Sequence, residues 1–186
     1  MTHSFDRQAL FEAFDLLNAE LQRRNVRATL FVVGGAAMAI AIAYDSRRST
    51  TDVDAIFVPA DIVRSAAQAV GQQMGIEEDW LNDGVKGFAP GHDEQSASVY
   101  EREHLSVAVA SPKYLLAMKL LASRSDRDID DIRTLYKLCA FSTVQDGIDV
   151  LSSFYPAHLV PARVQFMLQE MFPERDDAGR DRGISQ

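Results

Sequence analysis

Leu30 to Phe57, LFVVGGAAMAIAIAYDSRRSTTDVDAIF, is the stretch on which the fold turns. It predicts a short apolar strand (Leu30 to Val33), a Gly34-Gly35 turn, a small-residue helix from about Ala36 to Tyr44, a polar loop, and a second strand carrying Asp52 and Asp54. Residues two apart on a strand share a face, so Asp52 and Asp54 should project together, away from Val53 and Ala55. Adjacent carboxylates repel, and a cation between them is the natural relief. Magnesium takes carboxylate oxygens and is usually shared with substrate phosphates. A glycine pair at a helix N-terminus offers backbone N–H groups and a positive dipole end to a phosphate. Together these features suggest metal-assisted transfer from a nucleotide.

On the N-terminal side, Leu10, Phe11, Phe14, Leu17 and Leu21 recur at helical spacing, which predicts a packing helix over Phe5 to Arg24. On the other side, Pro59 and Asp61 open a helix with Ile62, Val63, Ala66, Ala67, Val70 and Met74 on its apolar side, and Gly75 ends it. Residues 76–95 are rich in turn formers and are expected to form a loop with one short strand, Trp80 serving as a core anchor by default, with a stacking platform for a base as the alternative. Asn82 and Lys86 stand within reach of a ligand there, although nothing local requires one. Ala97 to Tyr100 and Leu105 to Ala110 alternate as strands and close a small mixed sheet. Ser111-Pro112 starts a helix over Pro112 to Ala122 in which Lys113 faces solvent and Lys119 stands among apolar neighbours, its ammonium free to snorkel toward a phosphate. Ser125 caps the next helix, where Asp128 and Asp131 share one side and Arg124 and Arg127 supply counter-charge. Helical stretches over Val144 to Phe154 and Val160 to Phe172 follow.

The chain has 186 residues, 47% of them hydrophobic and 25% charged, enough to bury a core without staples. Its one cysteine, Cys139, excludes an internal disulfide and is expected to be a buried thiol. His92 and His104 lack metal-ligand spacing with each other or with Cys139, so zinc is unsupported. The only long apolar run, Ala28 to Tyr44, is broken by the glycine pair and is rejected as a membrane span; with no signal peptide in MTHSFDRQAL, the expected location is cytoplasmic. A net charge of −8 argues against a general nucleic-acid coat. Arg47-Arg48 beside the candidate site, and Arg23-Arg24 with Arg27, still leave room for a local basic groove, with a solvated face as the plainer alternative.

The glycine pair followed by Arg48-Ser49-Thr50-Thr51-Asp52-Val53-Asp54 resembles the signature of the DNA polymerase β-like nucleotidyltransferase superfamily. YLLAMKLLASR (114–124) and RDIDDI (127–132) are similar to elements of AbiEii-type toxins, and WLNDGVKGF (80–88) to an uncharacterised nucleotidyltransferase branch near them. This likeness runs from about residue 28 to 138. The elements read along the chain, taken with this likeness, give an α+β fold: a small mixed β-sheet nucleotidyltransferase core flanked by helices (1–110), a C-terminal helical bundle (111–172), and a polar tail (173–186) expected to be flexible. The likeness also implies transfer of a nucleoside monophosphate from an NTP with release of pyrophosphate. By that likeness Gly34 and Gly35 contact the triphosphate, Arg48 and Thr50 shape its pocket, and Asp52 and Asp54 hold magnesium. Lys119 sits on the phosphates, and Asp131, or else Asp128, positions Lys119 or Arg48 or assists the incoming hydroxyl.

Many members of that superfamily carry a third metal carboxylate on a later strand, where this chain has HLSVAVAS (104–111) with Ser106 and Ala108 in the plausible places. Glu101 or Glu103 could substitute; otherwise two carboxylates suffice, Asp128 or Asp131 serves, or activity is reduced. The resemblance implies the 3′ end of tRNA as acceptor, in the toxin of a toxin–antitoxin pair with a cognate antitoxin as partner. The acidic balance keeps nucleotidylation of a protein or a small molecule in view. A degraded nucleotide- or partner-binding module is the rival from outside enzymes.

Overall fold

A computed structural model describes residues 4–41, 49–122 and 126–173. The fold is mixed α+β, with a five-stranded sheet and a helical C-terminal part. It divides into two compact units, Met1–Leu115 and Leu116–Gln186.

The first unit is built from α1 (Arg7–Arg23), β1 (Ala28–Val32), α2 (Gly34–Ala41), β2 (Val53–Val58), α3 (Ala60–Met74), β3 (Leu81–Asn82), β4 (Ala97–Glu101) and β5 (Leu105–Val109). Its strands lie in the order β3-β2-β1-β5-β4. β1 runs antiparallel to β2 and parallel to β5, while β4 and β5 form an antiparallel pair. The expected helix from Phe5 starts at Arg7 because Asp6 caps it, its side chain accepting from the Ala9 N–H at 2.8 Å. Gly75 ends α3 in the left-handed conformation, as its position suggested.

Alternation divides the sheet into a packed face and an open one. Leu30, Val32, Val53, Ala55, Phe57, Leu105, Val107 and Val109 are buried. Thr29, Phe31, Asp54, Ile56, Ser106 and Ala108 are half-buried or exposed on the other side. α1 and α3 pack against each other, and Arg24 ties them, bonding Glu20 at 2.8 Å and the Ser65 hydroxyl of α3 at 3.0 Å. Arg24 is thus a structural residue of the helix pair. Trp80 is the core anchor the sequence predicts: it is buried, its Nε1 donates to the Ala67 carbonyl at 2.8 Å, and its ring lies 5.6 Å from that of Phe5.

Two further boundaries and one burial differ from expectation. Helix α2 begins at Gly34 itself, so the glycine pair forms its first turn; the expected end at Tyr44 lies outside the described residues. β2 begins at Val53 and leaves Asp52 in the bend before it, because the β3 ladder starts at the Val53–Leu81 pair. Cys139 is half-buried just past the end of its helix, not buried.

The second unit holds α5 (Asp126–Leu138), α6 (Val144–Phe154) and α7 (Ala162–Met171); the division between the units falls within α4 (Pro112–Ala122). Tyr136 stacks on Phe172 with centroids 4.3 Å apart. Thr143 and Asp146 form a reciprocal capping box at the start of α6. Backbone N–H bonds, that of Ser142 foremost, hold the Asp146 carboxyl below its ordinary range. Among the described residues no helix is long and apolar enough to cross a membrane.

Replacing Trp80 by Phe keeps an aromatic ring but deletes the buried bond to Ala67. The expected loss is about 1–3 kcal/mol of stability, read as a lower urea midpoint.

Candidate active site

The last rung of the β1–β2 ladder sets the site. The Val33 N–H donates to the Asp54 carbonyl at 2.9 Å, so Asp54 stands opposite the residue at which the chain leaves β1 and turns into α2. Its side chain shares the open face with Ile56, while Val53 and Ala55 point into the core. Gly34 then takes φ +62°, a region open to glycine and costly for other residues. A Cβ built there would lie 3.0 Å from Asp54 Oδ2. Carboxylate and helix start are therefore in contact range, and the absence of a side chain at 34 is what permits it.

Gly35 is similarly enclosed: a Cβ there would meet the Thr50 Oγ1 at 2.9 Å. Thr50 is pinned to Phe5 by two backbone bonds of 2.7 and 2.9 Å, and its hydroxyl donates to the Asp52 carbonyl at 3.0 Å. The bend carrying Asp52 is thereby fixed beside the glycine pair. The Asp52 side chain is exposed, with the Thr51 hydroxyl 3.5 Å from Oδ1. The first N–H groups of α2 have no intrahelical carbonyl to bond and carry the positive end of the helix dipole.

The structure thus brings Gly34, Gly35, Thr50 and Asp54 together, with Asp52 adjoining from a bend and not from the strand face it was expected to share with Asp54. Arg48 lies outside the described residues. Asn82, which the sequence put within reach of a ligand, is the register partner of Asp54 on β3; that pairing was not legible, because a two-residue strand leaves no periodicity to find. Its Oδ1 accepts from the Gly84 N–H at 3.1 Å. Lys86 bonds Asp83 at 2.6 Å, and that bond, with a second from Arg64, lowers the Asp83 pKa.

Hard oxygen donors are the right chemistry for magnesium, and one or two carboxylates completed by substrate phosphates are its usual protein share. Asp54 and Asp52 fit that donor set. Among the described residues no group of three or more His, Cys, Asp and Glu could hold a metal by itself. The β5 positions on the open face are Ser106 and Ala108, paired with Thr29 and Phe31. Glu101 bonds the hydroxyls of Ser106 and Ser98 at 2.7 and 2.8 Å, and these bonds lower its pKa. Ser106 is level with Thr29, four residues or about 13 Å along β1 from Val33, so Glu101 does not join Asp54.

Lys119, Asp128 and Asp131 form a cluster within the second unit. The ammonium lies 3.0 Å from Asp128 Oδ1 and 2.8 Å from Asp131 Oδ2, with the lysine side chain 24% exposed. Burial pulls the Lys119 pKa down, but the hydrogen bonds of Asp131 and Asp128 outweigh it, and the net direction is upward.

Residues 8–159 match a family model described as nucleotidyltransferase of unknown function (DUF6036). No curated protein and no solved structure matches the chain.

Gly34→Ala should cost about 1–2 kcal/mol in urea denaturation for its left-handed backbone alone. Gly87→Ala, with nothing within 4 Å of the added carbon, should stay within about 0.5 kcal/mol. For the lysine cluster, a raised folded pKa means stabilisation that is complete below the ordinary lysine value of about 10.4 and lost as pH rises through the raised one. In an Asp128→Asn/Asp131→Asn double variant only burial remains, so the Lys119 pKa followed by side-chain NMR should fall.

Proposed function

The chain belongs to this nucleotidyltransferase family, matched over residues 8–159, and on that premise we propose that it moves a nucleoside monophosphate from an NTP to an acceptor hydroxyl. The observation that carries the reading is the placement of Asp54 Oδ2 against the start of α2, where a single methyl on Gly34 would sit 3.0 Å from it. A carboxylate and the N–H groups of a helix's first turn stand side by side. A triphosphate carrying a divalent cation matches both kinds of group, its oxygens taking N–H bonds at Gly34 and Gly35 and the cation lying between phosphate and carboxylate. Asp54 and Asp52 would hold magnesium, which supplies charge neutralisation and alignment of attacking and leaving oxygens.

The chain's own residues then have separable roles. Gly34 and Gly35 bind the phosphates through the backbone. Thr50 fixes the bend and so orients Asp52. The acceptor hydroxyl attacks the α-phosphorus, one P–O bond forms, the bond to the β-phosphate breaks, and pyrophosphate leaves. The hydroxyl proton passes to solvent or to an Asp54 oxygen at the open face.

For the acceptor, likeness to AbiEii-type elements supports the 3′ end of tRNA and a toxin role. The net charge of −8 favours a protein or small molecule instead, since nothing in the composition supplies a general attraction for RNA.

Incubation with each α-labelled NTP and magnesium, against total tRNA and separately against protein extract, distinguishes these acceptors by which fraction gains label. Asp54→Ala and Asp52→Ala should each reduce labelling about 100-fold or more while leaving the circular dichroism spectrum unchanged. Chelation of divalent ions should do the same. Full labelling by Asp54→Ala would overturn the assignment.

A further inference from the structure

We infer that the cleft floored by Phe31 and Ile56 is the nucleoside subsite, the place where the base and sugar of the NTP lie while its phosphates occupy the glycine turn. The inference rests on the transfer reading above and adds what that reading leaves open: which surface of the chain recognises the part of the substrate that is not phosphate.

The cleft has a volume of about 380 Å³ and belongs entirely to the first unit. That is within the range of small-molecule sites. Its floor is continuous with the candidate site. Ile56 follows Asp54 by two residues on β2, hence on the same face and about 6.7 Å along it. Phe31 is the register partner of Ile56 on β1, again on the open face. Starting at the carboxylate and the glycine turn, the cleft therefore lies one step further along the sheet, a step comparable to the width of one ribose.

The described lining does not have the chemistry of a second phosphate site. Among the described residues neither lysine nor arginine contributes to it. Its one carboxylate among the described residues, Asp93, is buried and committed: Oδ2 accepts from the Ser111 N–H at 2.7 Å, and Oδ1 accepts from the Ser111 hydroxyl at 3.0 Å and the Gln95 N–H at 3.1 Å. These bonds anchor the 90–96 loop, which forms the rim, to the start of α4.

What remains is apolar and aromatic. Phe31 is half-buried, and Tyr114 meets it edge-on at 5.3 Å and 88°. The Tyr114 hydroxyl donates to the Pro90 carbonyl at 2.9 Å, fixing ring and rim together; burial, with Asp93 nearby, pushes its pKa up to about 12, so it stays a neutral donor. Exposed His92 and Ser96 put two polar groups at the mouth. A flat ring that rests on apolar surface and hydrogen-bonds only at its edge is the ligand chemistry these groups match, and a nucleobase has it.

The test uses the full chain with magnesium and compares a non-hydrolysable NTP with inorganic tripolyphosphate by calorimetry. Ser96→Trp fills the cleft from its exposed rim without entering the core, and Ile56→Ala hollows its floor. Each should weaken the NTP analogue about tenfold or more while leaving tripolyphosphate binding unchanged, which also shows that the variant is folded. Asp54→Asn should weaken both ligands. Wild-type protein that binds tripolyphosphate as tightly as the NTP analogue, or a Ser96→Trp variant that keeps wild-type NTP affinity, would overturn the subsite and leave the transfer reading standing. Wild-type protein that binds neither ligand would overturn the transfer reading together with the subsite.

Discussion

One hydrogen bond, from the Val33 N–H to the Asp54 carbonyl at 2.9 Å, fixes the relation between the two halves of the candidate site. It is the point at which β1 stops being a strand and β2 presents its carboxylate. The register it closes is specified elsewhere, by Leu30 against Phe57 and Val32 against Ala55, all four buried. A slip of one residue would send Asp54 into the core and bring Val53 and Ala55 out to water, at the cost of an uncompensated buried charge. The site's geometry is thus enforced by apolar packing on the opposite face of the sheet.

That arrangement explains why the sheet is open on one side. α1 and α3 cover the face that carries the aliphatic rows, and Trp80 closes its margin through Ala67. The other face keeps a sequence of small, polar and half-buried groups: Thr29, Phe31, Asp54, Ile56, Ser106 and Ala108. Sheets with antiparallel pairs tolerate one solvated face. Here the tolerance places a carboxylate, a helix start and an apolar cleft in sequence along two neighbouring strands. A fully covered sheet would have no room for them.

How much of this could be read from the sequence follows the range of each signal. Alternation and helical spacing are local, so α3, α4, α6, β4 and β5 were legible to within a residue or so. Gly34 and Asp54 were legible because a glycine pair after an apolar strand and a carboxylate inside one are each anomalous for their element. The start of β2 was not, because it depends on pairing with Leu81, and a two-residue partner strand carries no pattern. The same gap hid the pairing of Asn82 with Asp54. The cleft was hidden for another reason: Phe31 and Ile56 look like ordinary strand hydrophobics, and only the register and the Asp93 anchor reveal that they floor a cavity.

The lysine cluster of the second unit shows where a local reading and a structural one part. By spacing alone, Asp128 and Asp131 belong to a surface ladder of ion pairs along α5, each pair worth a few tenths of a kcal/mol. The structure gives both of them the same partner from the preceding helix, nine and twelve residues away, with Lys119 only 24% exposed. A lysine drawn in among Leu116, Leu120 and their neighbours loses hydration that two carboxylates restore. Because the restoring bonds outweigh the burial, the ammonium is kept charged and held in one position. A single carboxylate would balance the charge; the second removes the freedom of the lysine stem to swing. The spacing of RDIDDI puts the two aspartates on one side; that both of them meet one lysine of the preceding helix only the tertiary contact shows.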